Sequence, residues 1–325
     1  MDKQPKVVVI GSANMDLIMR TARIPRSGEI FTDGKFTTAS GGKGANHAVA
    51  LARLGAKVEF IGRIGQDPFG EILLENLRNE GVSISNTVRD AAYHTGTVSI
   101  LVNAQGDTAM VADYGSNLRL CPSDIEKASD SIRKADLMLL QCEVPEAANL
   151  CALAIAKDAG IPVIINPASI LPSSLDLLQG AYLITPNLGE AEGLVGLTGK
   201  RLYSATNPFR KAEEVAQSLI DAGIERIIVT LGSKGSVYVA PGIKKDFGTF
   251  PTTQVDVTGA GDAFTAAIAY GIATGQSIED AIILASATAA ISVSRLGAQP
   301  SFPPLKEVQA FLDSHTLGPP PTLQK

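Results

Sequence analysis

The sequence predicts an α/β protein: a three-layer arrangement with a mainly parallel central sheet between helices, plus a small β-sheet lid. Three observations predict it. Short apolar runs rich in β-branched residues recur along the chain, and most are followed by a segment of helical period. Those runs are continuously apolar rather than alternating, as in strands buried on both faces. The rhythm breaks twice, at about 17–40 and 93–113, where alternating segments and turn residues replace the helix and imply an inserted lid.

Val7 to Ile10 is the first buried strand, ending at Gly11. Asn14 and Asp16 follow at its carboxyl end, where open α/β sheets place ligands. These short polar side chains could hold adjacent hydroxyls, or form an Asx turn leaving the strand. Glu29 to Thr32 and Lys35 to Thr38 read as short strands around Asp33-Gly34, a hairpin turn pair. Gly41-Gly42-Lys43-Gly44-Ala45-Asn46 then enters a helix running to about Leu54. Its glycines let the backbone approach a ligand closely, while Lys43 and Asn46 offer donors. The Walker A spacing is absent, and no strand leads into a complete Gly-x-Gly-x-x-Gly.

Val58 to Ile61 is the next strand and Phe69 to Asn79 a helix; Tyr93 to Ala112 forms the second strand-rich insert, with Val98, Ile100 and Val102 alternating. Leu137 to Leu140 (strand), Ala147 to Lys157 (helix), Val163 to Ile165 and Leu183-Ile184 (strands) resume the alternation. Glu143 stands just past the Leu137–Leu140 strand, beside Cys142 and Val144, where burying a carboxylate unpaired is costly and a functional role is favoured. Asn187 and Glu190 are spaced as a capping pair, or as a polar pair facing phosphates and the water shell of magnesium. Asn207-Pro208 caps a helix to about Ile220. Ile227 to Thr230 is a strand leading through the tight turn Leu231 to Gly235 into a hairpin strand, Val237 to Val239.

The chemistry concentrates in Asp256-Val257-Thr258-Gly259-Ala260-Gly261-Asp262-Ala263-Phe264, before an apolar helix read as Ala263 to Thr274. Gly259, Ala260 and Gly261 leave backbone N–H groups uncovered at the positive end of that helix, a site for phosphate oxygens. An acidic side chain beside bound phosphate is repelled by it unless it has a task, and taking a proton from an attacking hydroxyl is one. The plain alternative is a Gly-rich turn with Asp262 as N-cap. A second apolar helix (Ser277 to Ser294), a sharp turn (Arg295 to Ser301) and a helix from Leu305 to Leu312 complete one folded unit, 1–316. The tail 317–325, with three consecutive prolines, is expected to be disordered.

The formal net charge of −5 argues against nucleic acid or an anionic membrane as partner, and no apolar run reaches the ~18 residues of a membrane span. The N-terminus runs directly into the first strand, without a signal peptide, so a cytoplasmic location is expected. Cys121, Cys142 and Cys151 have no metal-type spacing and read as buried reduced thiols. Only His47, His94 and His315 are present, none with a second ligand at helical spacing, so acid/base chemistry must rest on carboxylates.

In this order, Asn14-x-Asp16, Gly41 to Asn46, Asn187-x-x-Glu190, Thr230-Leu231-Gly232 and Asp256 to Asp262, the chain resembles the ribokinase-type (PfkB) carbohydrate kinases over about residues 5–313. The resemblance implies transfer of the γ-phosphate of ATP to the 5-hydroxyl of D-ribose, aided by magnesium and potassium, in a homodimer joined through the lid. By position, Asn14, Asp16, Gly42, Lys43, Asn46 and Glu143 would bind sugar. Asp262 would be the base, with Gly259, Ala260 and Gly261 the anion hole. Asn187, Glu190, Thr230, Leu231, Gly232, Ser233, Lys234, Gly235, Gly261 and Ser286 would face the nucleotide, and Glu190 would also hold magnesium through water. Asp256, Thr258, Ser292, Arg295, Gly297 and Ser301 match a loop for a monovalent cation. Alternatives are a kinase for another pentose, a ketose or a nucleoside, and a sugar-binding regulator without catalysis. The chain departs from the family pattern at Asp113-Tyr114-Gly115-Ser116-Asn117, a loop adjoining the sugar where the usual residues are smaller and apolar. Ser286 also lacks the larger polar side chain often found near adenine.

Overall fold

The computed structural model describes residues 4–167, 175–199 and 206–320. The chain opens with β1 (Lys6–Ile10), β2 (Asn14–Arg20), β3 (Lys35–Gly41), α1 (Lys43–Arg53), β4 (Lys57–Ile61), β5 (Arg63–Gly65), α2 (Pro68–Asn79), β6 (Val88–Asp90), β7 (Gly96–Val102) and β8 (Thr108–Asp113). Then follow α3 (Pro122–Lys127), α4 (Ser129–Arg133), β9 (Leu137–Gln141), α5 (Glu146–Asp158), β10 (Val163–Asn166), α6 (Asp176–Gln179), β11 (Leu183–Ile184), α7 (Leu188–Gly196) and α8 (Pro208–Ile220). The last part holds β12 (Ile227–Thr230), β13 (Ser236–Ala240), β14 (Ile243–Phe247), α9 (Ala260–Ala273), α10 (Ile278–Val293) and α11 (Leu305–Ser314).

Among the described residues, eight strands form the main sheet in the order β14-β13-β12-β11-β10-β9-β1-β4. The six from β12 to β4 are parallel, and β13 and β14 close the edge antiparallel. Successive side chains of each strand feed opposite cores. Val7, Val9, Leu137 and Leu139 pack with α1, α2, α9, α10 and α11. Val8, Ile10, Met138 and Leu140 pack with α3 to α8 on the other face. This is the expected three-layer α/β/α fold. The strand order reverses at β1, whose neighbours are β4 and β9, and this opens a crevice beyond its carboxyl end.

The lid is a four-stranded sheet, β3-β2-β7-β8, in which β2 pairs antiparallel with β3 and parallel with β7. Two expectations change here. Glu29 to Thr32 is not a strand: Arg23 pairs with Glu29, the Glu29 N–H donates to the Arg26 carbonyl, and Ile30 is exposed. The partner of β3 is instead Asn14–Arg20, so Asn14 and Asp16 belong to a lid strand rather than to a turn leaving β1. Its half-buried acid and buried asparagine hid that strand from a reading of apolar alternation. Of the tail, Leu317 packs on the core and the Gly318 N–H donates to the Thr249 carbonyl, so its first residues are tied down; 321–325 lie outside the described residues.

Candidate active site

The carboxyl ends of β1, β9, β10 and β11 deliver Ser12, Glu143, Asn166 and Thr185 to the crevice, and the lid strand β2 covers it with Asn14 and Asp16. Gly42 sits between β3 and α1 at φ +89°, and a Cβ there would lie 2.7 Å from the Ala13 Cα and the Asn14 nitrogen. Only glycine lets this turn press on the strand end. It starts α1 with Lys43, whose ammonium reaches Asp262 Oδ1 (3.4 Å) and Asn166 Oδ1 (3.2 Å).

Glu143 is buried and accepts from the Ser12 hydroxyl (2.5 Å), the Lys43 N–H (3.4 Å) and the Tyr114 phenol (3.5 Å). Burial raises its pKa, and the Ser12 hydrogen bond and Lys43 offset only part of that. The Asp16 pKa is also lifted, to about 7, by burial and then by the Glu143 and Asp262 charges. Burial would lower Lys43, yet Asp262, Glu143 and Glu190 together hold its pKa above the ordinary value, so it remains an ammonium. Asn14 is buried, and its Oδ1 accepts from Asn117 Nδ2 at 2.8 Å.

Asp262 lies in the first turn of α9, which begins at Ala260, three residues earlier than the sequence indicates. Gly259 caps the helix at φ +77° in the left-handed region, and its added Cβ would stand 2.8 Å from the Ala298 Cβ. Asp262 Oδ2 accepts from Asn46 Nδ2 at 2.8 Å. Burial alone would raise the Asp262 pKa, but the Lys43 ammonium and the Asn46 hydrogen bond bring it below the usual carboxylate value. The carboxylate is therefore ionised at neutral pH and acceptor-only. Beside it, at Gly261, the space is open: a Cβ added there would meet nothing within 4 Å. The Ala260 N–H donates to the Val257 carbonyl at 3.1 Å, so the amides left to face an anion are those of Gly259, Gly261 and Asp262.

The expected nucleotide-facing residues fall in two groups. Asn187 and Glu190 form a reciprocal capping box on α7, and Asn187 bridges to Thr230 at the end of β12. From Thr230 the chain turns through Leu231, Gly232, Ser233, Lys234 and Gly235, closed by the Leu231 N–H on the Gly235 carbonyl. Ser286 sits apart on α10, its hydroxyl donating to the Ile282 carbonyl. The Glu190 carboxylate accepts from the Asn187 N–H at 2.9 Å, and its charge helps to raise the pKa of Lys43. No group of three or more His, Cys, Asp or Glu able to hold a metal occurs among the described residues. A magnesium held through water by one carboxylate and by phosphates needs no such cage.

Of the six residues matched to a cation loop, Asp256 and Thr258 lie on one turn, Ser292 in the last turn of α10, and Arg295, Gly297 and Ser301 on the segment that follows it. Asp256 Oδ1 accepts from the Thr258 N–H and hydroxyl, and its Oδ2 accepts from the Gly297 N–H at 2.9 Å. Ser292 and Ser301 share a hydrogen bond of 2.7 Å, and Arg295 pairs with Glu307.

Sequence reasoning missed several members. Gln299 donates to Asn46 Oδ1 at 3.0 Å, which links the Arg295–Ser301 turn through Asn46 to Asp262. Asn166 fixes the Lys43 ammonium, Asn117 holds Asn14, and Ser12 holds Glu143. His47, fully buried, places Nε2 3.6 Å from Asp262 Oδ1, and burial depresses its pKa to about 4. The one available signal was position: Ser12 and Asn166 sit at strand ends facing the crevice.

The description "pfkB family carbohydrate kinase" matches residues 4–305. The chain belongs to the pfkB family of carbohydrate kinases. Among pfkB relatives, mouse ribokinase is 37% identical over 316 residues, 94% of each chain. A deoxyribokinase from Salmonella typhi is 32% identical over 308 residues, covering 94% of this chain and 98% of its own. The solved structure of Arabidopsis thaliana ribokinase complexed with ribose and ATP is 32% identical, with a TM-score of 0.85, covering 95% of this chain and 99% of the other.

Proposed function

We propose that this protein transfers the γ-phosphate of ATP to the primary 5-hydroxyl of D-ribose. The observation that carries the reading is Asp262, an ionised, buried carboxylate at a helix N-terminus, touching Lys43 and Asn46 beside the open face of Gly261. The sugar's primary hydroxyl donates to Asp262, which takes the proton as the oxygen bonds to phosphorus and ADP leaves. The free N–H groups at the start of α9, with the helix dipole, stabilise charge on the transferred group. Lys43 holds the acceptor against Asp262, while Asn14, Asp16, Asn46 and Glu143 bind its hydroxyls. The likeness to ribokinases, including one complexed with ribose and ATP, supports the choice of sugar and nucleotide.

Asn187 and the turn Thr230 to Gly235, with Ser286, line the nucleotide side in this reading. Magnesium, held through water by Glu190, neutralises phosphate charge. Potassium binds between the turns at Asp256–Thr258 and Arg295–Ser301, ordering the amides of Gly259 and Gly261 without touching substrate. A reaction that consumes ATP and is aided by potassium fits the cytoplasm. The enzyme works as a homodimer whose lids pack together.

A coupled ADP-release assay on ribose, 2-deoxyribose, fructose and a nucleoside tests the substrate. A site built to hydrogen-bond a hydroxyl rejects analogues lacking it, often by ~10⁴-fold. Ribose is expected to lead and 2-deoxyribose to trail far behind, with Asp16→Ala narrowing the gap. Equal use of the two pentoses would align the chain with its deoxyribokinase relatives instead.

A further inference from the structure

The loop where the chain departs from its family's pattern enters the pocket through one side chain. Asp113 points outward: it is exposed, with Oδ2 3.3 Å from His94 Nε2. Tyr114 turns inward, half-buried, with its phenol 3.5 Å from Glu143 Oε1. The loop behind it is fastened to the sugar-facing strand. Asn117 Nδ2 donates to the Tyr114 carbonyl (2.9 Å) and to Asn14 Oδ1 (2.8 Å), and the Ala13 N–H donates to Asn117 Oδ1 (2.9 Å). The ring is therefore held on the wall of the pocket rather than on a free surface loop.

Lys43 gives the pocket a direction. Its ammonium, at one end of the side chain, lies 3.4 Å from Asp262 Oδ1, and its backbone N–H, at the other end, lies 3.4 Å from Glu143 Oε2. An acceptor lying along Lys43 with its primary hydroxyl on Asp262 thus directs its far end to Glu143 and Tyr114. For a pentose reacting at C5, that end is the anomeric carbon. Glu143 Oε2 is already taken by Ser12 and Lys43, so the free anomeric hydroxyl meets Oε1 and the Tyr114 phenol together. Burial, with the Glu143 charge adding to it, pushes that phenol up to about 12, so it stays a donor at any working pH.

We propose that Tyr114 is a specificity-determining residue, whose ring and hydroxyl close the Glu143 end of the pocket against acceptors substituted at the anomeric carbon. Free pentoses fit, and ribosides, including nucleosides, are excluded by the ring. This rests on the reading of the pocket as a sugar site with Asp262 at the reacting hydroxyl.

The test compares kcat/KM for D-ribose, methyl β-D-riboside and adenosine in the wild type, Tyr114→Phe and Tyr114→Ala. Tyr114→Ala should raise the riboside-to-ribose ratio by at least about 10-fold, the size of effect that a few apolar atoms have on pocket fit. Tyr114→Phe keeps the ring, and so should leave that ratio within about two-fold of wild type while raising KM for ribose by roughly 5-fold through loss of one hydrogen bond. A Tyr114→Ala ratio within two-fold of wild type, in enzyme that turns over ribose, overturns the proposal alone. Absence of ribose turnover in the wild type overturns it together with the functional reading beneath it.

Discussion

Asp16 and Asp262 share one pocket, and their surroundings drive them in opposite directions. Asp262 has the Lys43 ammonium and an Asn46 amide within reach and stays ionised. Asp16 has burial and two neighbouring carboxylates, and its pKa rises to about 7. In the proposed site a sugar hydroxyl binds Asp16 as a charged acceptor, so binding favours the ionised form, and affinity should increase as pH rises through 7. We expect KM for the sugar to climb as pH falls from about 8 to 6 while KM for ATP changes little, and a pH series of both constants checks this. The stability linkage has the opposite sense. A carboxyl whose folded pKa exceeds its ordinary value of 3.8 contributes stability at acid pH that is lost as pH rises toward 7. A sugar KM flat across that window would show that Asp16 does not gate binding.

Within the elements, the start of α9 carries the most constraint. Gly259 adopts a left-handed backbone and its Cα packs against Ala298 and Phe302, the turn that also carries Gln299. Gly259→Ala should cost roughly 1–2 kcal/mol for the backbone alone, more for the contact, and should lower turnover by displacing the adjacent amides. Thermal unfolding and kcat measured together check this; a variant matching wild type in both would remove Gly259 from the machinery. This helix was legible in sequence because glycines and an acid preceded an apolar run, although its start fell three residues early. β2 was not legible: Asn14 and Asp16 are polar residues within a strand, and their polarity mimicked a turn. Asn117, Asn166 and Gln299 were hidden for another reason, since each acts through a partner far away in sequence, such as Gln299 on Asn46, and local pattern carries no record of it.

Across the whole molecule, the edge strands of the lid leave Phe36 (58%) and Val111 (75%) exposed on one face of its sheet and Met110 (56%) on the other, and the Phe36–Val111 face is the one a second copy of the lid would cover in the proposed dimer. Sedimentation velocity should show a dimer, converted to monomer by a charge at Phe36 or Val111; a monomeric wild type at tens of micromolar would contradict the lid interface. The central claim is narrower, that Asp262 accepts the proton of a sugar hydroxyl attacking ATP. The measurement closest to it is product formation followed by phosphorus NMR, with ribose, ATP and magnesium, for the wild type and Asp262→Asn, alongside nucleotide affinity. The wild type should form ribose 5-phosphate and ADP in equal amounts. The rate should be lower by ~10²–10⁴-fold in Asp262→Asn with ATP still bound. ADP without sugar phosphate, or an Asp262→Asn rate within a few-fold of wild type, would contradict the claim.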